Sequence, residues 1–208
     1  MPKTKMDVMF SSSSNEWRTP KWLFDYLDSF FDFGLDACAT PGNALCRAFF
    51  SRKRSCLDND WAKASGGKPA FMNPPYGAEK ELGDDGKMHK VPGSPDVSDF
   101  LLRAYEESGA CRGKKGIDVV ALVPARTDAA FFHELCSEGS VVLIRSRVHF
   151  TLPDGQGKAG APFPSMLVLF TSRTLTLTPE LFGPKGSVRR VDLREVRKEW
   201  SKRKRMLW

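Results

Sequence analysis

The chain has 208 residues, 41% hydrophobic and 27% charged, enough for one globular domain with a full core, and its net charge of +7 favours a polyanionic partner. No apolar run approaches the ~18 residues of a membrane span, and Met1 to Met6 lack the apolar core and cleavage site of a secretory signal. Five cysteines (Cys38, Cys46, Cys56, Cys111 and Cys136) form no Cys-x-x-Cys pair and are odd in number, which argues against a zinc knuckle or disulfide framework and for a reducing, cytoplasmic compartment.

Residues 1–16 are polar, contain Ser11 to Ser14, and read as a flexible N-terminal arm. Thr19 offers an N-cap and Pro20 a first helical position, with Trp22, Leu23, Tyr26, Leu27 and Phe30 at helical spacing, so the sequence predicts a helix over 20–31. Phe33 to Ala37 reads as a short buried strand reaching the acid Asp36, followed by a small-residue turn through Asn43. A second strand is expected to end near Cys56-Leu57-Asp58, and a third is Ala70-Phe71-Met72. Residues 78–97, rich in Gly, Pro, Asp and Lys, read as a long loop insertion.

A helix over about 97–108 and a strand over 117–123 follow, then a helix from Thr127 to Cys136 and strands at Val141–Ile144 and Met166–Phe170. A second loop insertion is expected at 151–163. Residues 17–187 read as the main domain, carrying both insertions, and 188–208 as a basic C-terminal segment. Strands alternating with helices indicate an α/β fold, a single domain built on a mostly parallel sheet flanked by helices. In such sheets ligands sit beyond the carboxyl ends of the strands, and Asp36, Asp58 and Asn73 each fall at an expected strand end.

The most informative residues are Asn73-Pro74-Pro75-Tyr76, followed by Gly77. Two prolines fix φ and hold the residues before them extended. The result is a stiff, donor-poor loop with an amide at its entrance and an aromatic ring at its exit. Such a loop can hold a planar amino group in plane and cover the attached ring with a π-face.

With Trp17-Arg18-Thr19-Pro20, Leu35 to Ala44, Asn59-Asp60-Trp61, Val123-Pro124-Ala125, Arg145 to Phe150 and Pro164-Ser165-Met166, this loop makes a pattern spanning roughly 15–170. The pattern resembles the phage-type Dam family of DNA N6-adenine methyltransferases. The Asn-Pro-Pro-Tyr piece is shared with methylases of RNA bases and of protein glutamine, while the Asp-Ala-Cys-Ala run at 36–39 is the narrower signature. The resemblance implies a Rossmann-like methyltransferase sheet, S-adenosylmethionine as cofactor, double-stranded DNA as partner and flipping of the target base. A reading from another class is a non-catalytic DNA-binding protein that retains the fold; the intact Asn73 to Tyr76 argues against it.

By that resemblance Asn73, Pro74, Pro75 and Tyr76 are catalytic. The Asn73 side-chain oxygen and the Pro74 carbonyl each accept one N–H of the adenine amine, which favours a localised lone pair on nitrogen. Tyr76 stacks on the base, and Phe150 is a candidate second wall that ordinary core packing explains equally well. Thr19, Pro20, Asp36, Cys38, Ala39, Asp58, Asn59 and Trp61 are the candidate cofactor contacts. Asp36 suits the methionine ammonium. Asp58 suits the ribose hydroxyls, but Asn59 and Asp60 compete for that role and spacing does not separate them. The glycine-rich cofactor loop of commoner methyltransferases is replaced by residues 37–43. Lys80, Lys87, His89, Lys90 and Lys158 in the two loops, Arg145 and Arg147, and Lys202 and Arg203 in the tail are candidate DNA contacts, although a solvated surface explains each loop residue individually. The three histidines offer no metal cluster, and methyl transfer needs no metal. Oligomeric state and recognition sequence are not legible.

Overall fold

The computed structural model describes residues 17–110, 115–151, 158–172 and 188–206. The expected arm at 1–16 lies outside the described residues, as do the side chains of Lys158 and Arg203. In chain order the elements are α1 (Lys21–Phe31), β1 (Leu35–Asp36), β2 (Ala48–Phe49), α2 (Trp61–Ser65), β3 (Ala70–Met72), β4 (Lys80–Leu82), β5 (Met88–Lys90), α3 (Val97–Glu107), β6 (Val119–Pro124), α4 (Ala130–Glu134), β7 (Ser140–Arg145), β8 (His149–Thr151), β9 (Lys158–Gly160), β10 (Ser165–Phe170), β11 (Val188–Asp192) and α5 (Leu193–Met206).

Seven strands form one sheet in the order β11-β7-β10-β6-β3-β1-β2. The pairs are parallel except where β10 runs antiparallel to both β6 and β7. This is the expected α/β sheet, mostly parallel and covered on both faces. Continuous apolar runs fit that burial: every residue of β6 and of β10 is buried. Side chains alternate between two packed layers. Val119, Ala121 and Val123 of β6 join Leu101 and Ala104 of α3 on one face. Val120 and Leu122 join Leu23 and Leu27 of α1 and Leu193 of α5 on the other. The α3 helix starts on a capping box between Asp96 and Asp99. Arg197 of α5 lies 5.7 Å from the centre of the Trp22 ring of α1, which helps seat the C-terminal helix.

Several expectations are corrected. Thr19 does not cap α1. Pro20 holds the cap position with ψ 127°, and its carbonyl accepts from Leu23 N at 2.9 Å. The Thr19 hydroxyl is thereby left for another partner. The second strand lies at Ala48–Phe49, pairing Leu35 with Ala48, and not near Asp58. Residues around Asp58 turn instead, because the Ser55 hydroxyl accepts from Leu57 N at 3.1 Å and breaks the extended run. Thr127 does not cap α4 either: Ala129 holds that position, and the Thr127 carbonyl accepts from His133 Nε2 at 2.8 Å. The 78–97 insertion contains a two-stranded antiparallel ribbon, β4–β5, and the segment after Phe150 contains the β8–β9 pair. Val188–Asp192 pairs in parallel with β7, so the basic C-terminal segment begins as a strand of the main sheet.

Candidate active site

The parallel neighbours β1 and β3 deliver Asp36 and Asn73 to the same edge of the sheet, with Asp36 in register with Phe71. Gly34 makes this possible at the start of β1: a Cβ there would lie 2.4 Å from the Ser65 carbonyl oxygen, so any larger residue would push the strand out of place.

The Asn73 amide is held on both sides. Its Nδ2 donates to the Trp17 carbonyl at 2.5 Å and to Thr19 Oγ1 at 3.0 Å. A backbone carbonyl only accepts, so this interaction fixes which end of the amide is nitrogen. The Oδ1 therefore points the other way and accepts from the Tyr76 hydroxyl at 2.5 Å. Burial pushes the Tyr76 phenol above its ordinary range, so it stays protonated and remains a donor. Pro74 is buried and Pro75 exposed, and among the described residues none donates to the Pro74 carbonyl.

An aromatic cluster stands behind this network. Tyr76 meets Phe163 edge to face at 5.2 Å, and Trp17 meets both Phe150 and Phe163 at 5.6 Å. Phe150 is fully buried, which makes it core packing beneath Tyr76 and not an open wall. Trp17, Tyr76 and Phe163 are the half-exposed rings of the cluster. Sequence reading includes Trp17 in the family pattern but gives it no role at the site, and it misses Phe163. Trp17 carries no helical or strand period, and Phe163 sits in a Gly/Pro-rich segment where periodicity has nothing to act on.

Asp36 has a different environment. It is 3% exposed, and its carboxylate accepts only backbone N–H groups, from Cys38 at 3.4 Å and Leu45 at 3.1 Å. Among the described residues no lysine or arginine pairs with it. Burial outweighs the two N–H bonds and raises its pKa to about 6. The turn that follows is closed by side chains in place of glycines: Asn43 Oδ1 accepts from Thr40 N at 2.6 Å and from Thr40 Oγ1 at 3.1 Å. Ala39 is buried and Cys38 half-buried, with Cys38 Sγ 3.7 Å from Cys56 Sγ. Burial holds the Cys38 thiol well above its usual range and the Cys46 and Cys136 thiols up at about 12, so these thiols are neutral and no nucleophile at neutral pH.

The three candidates that spacing leaves open stand in different surroundings. Asp60 spends its carboxylate capping α2 through Lys63 N at 2.8 Å. Asn59 donates its amide to the Ser55 carbonyl at 2.7 Å. Asp58 is exposed, with its carboxylate free of protein partners among the described residues. Trp61 is fully buried, donating Nε1 to the Cys56 carbonyl at 2.8 Å, so it packs under the site and offers no face to a ligand. Of the candidate DNA contacts, Arg145 is exposed but ion-paired with Asp192 at 3.6 Å, and Lys90 faces Asp96 at 3.8 Å. Lys87, Arg147 and Lys202 are exposed. Among the described residues no three His, Cys, Asp or Glu side chains gather as a metal site would require, and no helix is long and apolar enough to cross a membrane.

Comparison with known proteins gives a family match for DNA N-6-adenine-methyltransferase (Dam) over residues 8–202. A DNA N-6-adenine-methyltransferase of Haemophilus phage HP1 (strain HP1c1) is 36% identical over 67 residues, 31% of this chain and 36% of the relative. One of Escherichia phage T1 is 36% identical over 119 residues, 57% of this chain and 39% of the relative. The chain thus spans under two fifths of the length of these two curated relatives. Among solved structures, a type I restriction-modification system methyltransferase subunit from Streptococcus thermophilus aligns with a TM-score of 0.41 at 14% identity, covering 92% of this chain and 51% of that one.

Proposed function

The chain belongs to the DNA N-6-adenine-methyltransferase (Dam) family, and from that premise we propose that it methylates the exocyclic N6 of an adenine flipped out of double-stranded DNA, with S-adenosylmethionine as donor. The observation that carries this reading is the fixed Asn73 amide. Its nitrogen end is tied to Trp17 and Thr19, so its oxygen is presented at the strand edge, one residue from the unengaged Pro74 carbonyl. Two acceptors on a stiff loop match the two hydrogens of an amine. Engaging both lets the nitrogen lone pair localise, and because the loop is preorganised the acceptors need little movement as charge develops. The Tyr76 hydroxyl now held by Oδ1 leaves one lone pair of that oxygen open, since an amide oxygen accepts twice. Tyr76, backed by Phe163, supplies the face on which the base rests.

The residues present fit the cofactor. A buried carboxylate with no cationic partner is a costly group that an ammonium relieves, and Asp36 is such a group. Asp36, Cys38 and Ala39 would hold the amino-acid end of S-adenosylmethionine, and Asp58 its ribose hydroxyls. When bound, this cofactor supplies a methyl group activated on a sulfonium. In this reading the methyltransferase domain begins at residue 17 and takes in β11 and α5, which belong to the sheet and its apolar cover, beyond the expected boundary at 187, and Lys87, Arg147 and Lys202 meet phosphates. A DNA substrate places the protein in the cytoplasm of its host cell.

The test is methyl transfer from labelled S-adenosylmethionine to plasmid DNA. The expected result is transfer to adenine N6 that falls ~10²–10³-fold in Asn73→Ala, the scale for losing one preorganised hydrogen-bond group. Transfer to RNA alone, or equal transfer by the variant, would refute the proposal.

A further inference from the structure

The β4–β5 ribbon has a face that the fold does not use. It is an antiparallel pair in which Lys80 lies opposite Lys90, Glu81 opposite His89, and Leu82 opposite Met88. Side chains alternate along a strand, and opposed residues share a face. Lys80, Leu82, Met88 and Lys90 therefore lie on one face, and Glu81 and His89 on the other. The first face is unusual on two counts. Two lysines directly opposite each other repel and destabilise the pair. Toward the turn the same face carries Leu82, 70% exposed, and Met88, 57% exposed, large apolar side chains left in water.

Neither feature helps the ribbon fold. Lys90 has a distant acid, Asp96, at 3.8 Å, while Lys80 makes no ion pair among the described residues. The ribbon is nonetheless held firmly at its base. Arg52 pairs with Glu79 at 2.7 Å, Glu79 N donates to Ser94 Oγ at 2.9 Å, and Val91 N donates to the Glu79 carbonyl at 2.8 Å. It also begins four residues after Tyr76, so the ribbon follows directly on the Asn73–Tyr76 loop along the chain. A cationic base with an apolar tip, on a two-stranded ribbon, has the chemistry of a groove-inserting element: lysines neutralise phosphates on the two sides, and an apolar pair enters a base step and unstacks it.

The geometry points to this ribbon as the element that engages duplex DNA and opens it, with Lys80 and Lys90 seated on phosphates and Leu82 and Met88 wedged beside the target adenine. This rests on the proposal that the protein methylates a flipped base in DNA, and it assigns to the ribbon the part of the flipping work that the catalytic loop lacks. A bare Asn-Pro-Pro-Tyr loop can hold an extruded base, but something has to weaken the stack from which it comes.

Two variants separate the parts of the face, and all the substituted positions are exposed, so folding is checked simply by an unchanged circular dichroism spectrum. In Lys80→Gln/Lys90→Gln, the slope of log affinity for duplex DNA against log salt is expected to flatten by about 1.8, at ~0.9 for each phosphate no longer neutralised. In Leu82→Ala/Met88→Ala, the slope is expected to hold while single-turnover methylation of a duplex carrying the mapped target site falls roughly tenfold. That loss is expected to shrink when the target adenine is mispaired, because a mispaired base costs less to extrude. Glu81→Gln, on the opposite face, is expected to leave the slope unchanged.

Wild-type slopes and wild-type duplex rates in both double variants would overturn the inference. So would an equal loss on paired and mispaired sites, which is what a merely structural role predicts. Failure of the parent proposal reads differently: the wild-type protein itself would transfer no methyl to DNA. The salt slope of DNA binding would still report on the ribbon in that case, and absence of wild-type DNA binding would overturn both.

Discussion

The Asn73 amide is engaged at both ends by protein groups, whereas the Asp36 turn buries a carboxylate that has no cationic partner among the described residues. In the first region both the nitrogen and the oxygen of the Asn73 amide have partners, drawn from Trp17, Thr19 and Tyr76. A substrate entering there must share an existing hydrogen bond, so the network favours geometry over affinity. In the second, two backbone N–H groups do not balance the burial of Asp36, and its pKa rises from 3.8 to about 6. A cation entering there removes a cost the folded chain already carries, so the site favours affinity over geometry. In the proposed function the same sheet edge thus holds one part organised for the reaction and one organised for binding.

The sharpest way to break this contrast is Asp36→Asn. Losing a charge-assisted partner of a cationic ligand is expected to weaken S-adenosylmethionine binding ~10–100-fold by calorimetry. The free protein should move the other way. A carboxyl whose pKa is higher folded than unfolded favours folding only in its acid form. That stability is fully present below pH 3.8 and is lost as pH rises through about 6, an amount of about 3 kcal/mol. The variant should therefore be more stable than the parent at pH 8, by part of that amount, and should lack the decline between pH 4 and 6 in denaturant unfolding. Cofactor affinity of the parent should fall as pH drops below about 6, because the protonated acid no longer offers a charge. A variant destabilised at pH 8 would mean that Asp36 is a structural acceptor and not a waiting counter-ion.

Tyr76 probes the other region with a smaller expected effect. Removing the ring in Tyr76→Ala takes away a stacking face worth ~1–3 kcal/mol per base, so duplex methylation should fall roughly 5–150-fold with cofactor affinity unchanged. Tyr76→Phe keeps the ring and frees the second lone pair of Asn73 Oδ1. It should retain activity within about tenfold, and single-turnover rates distinguish the two variants. A Phe variant as damaged as the Ala variant would show that the hydroxyl, and not the face, is what the reaction uses.

How much of the fold and site is legible in the sequence follows the range of the interactions involved. β3 and its Asn-Pro-Pro-Tyr exit are readable because proline fixes its own neighbours locally. The sheet is readable because β6 and β10 are buried on both faces and so written as continuous apolar runs. The second strand is not, because Ala48–Phe49 is two residues long and exists only through pairing with β1. Thr19 reads as a cap because its sequence neighbours suit one, while its actual partner, Asn73, lies 54 residues away. Trp61 and Phe150 are candidates as aromatic residues in motif positions, and only burial shows that their faces are already covered. The ribbon face is hidden inside a segment whose composition reads as loop, since three-residue strands with a charged pair carry no period.

Thr19 offers the finest discrimination between the two regions, because it stands at the start of the segment proposed to bind the cofactor yet touches the Asn73 amide. Its Oγ1 is one of two acceptors for Asn73 Nδ2, at 3.0 Å, and the residue is 9% exposed. Thr19→Val keeps the shape and removes the acceptor. A neutral hydrogen bond contributes ~0.5–1.5 kcal/mol, so the amide should lose part of its fixed orientation at a cost of only a fewfold in rate. If Thr19 serves Asn73, kcat should fall about fivefold while the S-adenosylmethionine Kd stays within about twofold. If it serves the cofactor, the Kd should rise by that factor and the rate at saturation should hold. The Trp17 carbonyl remains in either case as an acceptor for Asn73 Nδ2, so the amide keeps its direction and the comparison is made on an intact loop.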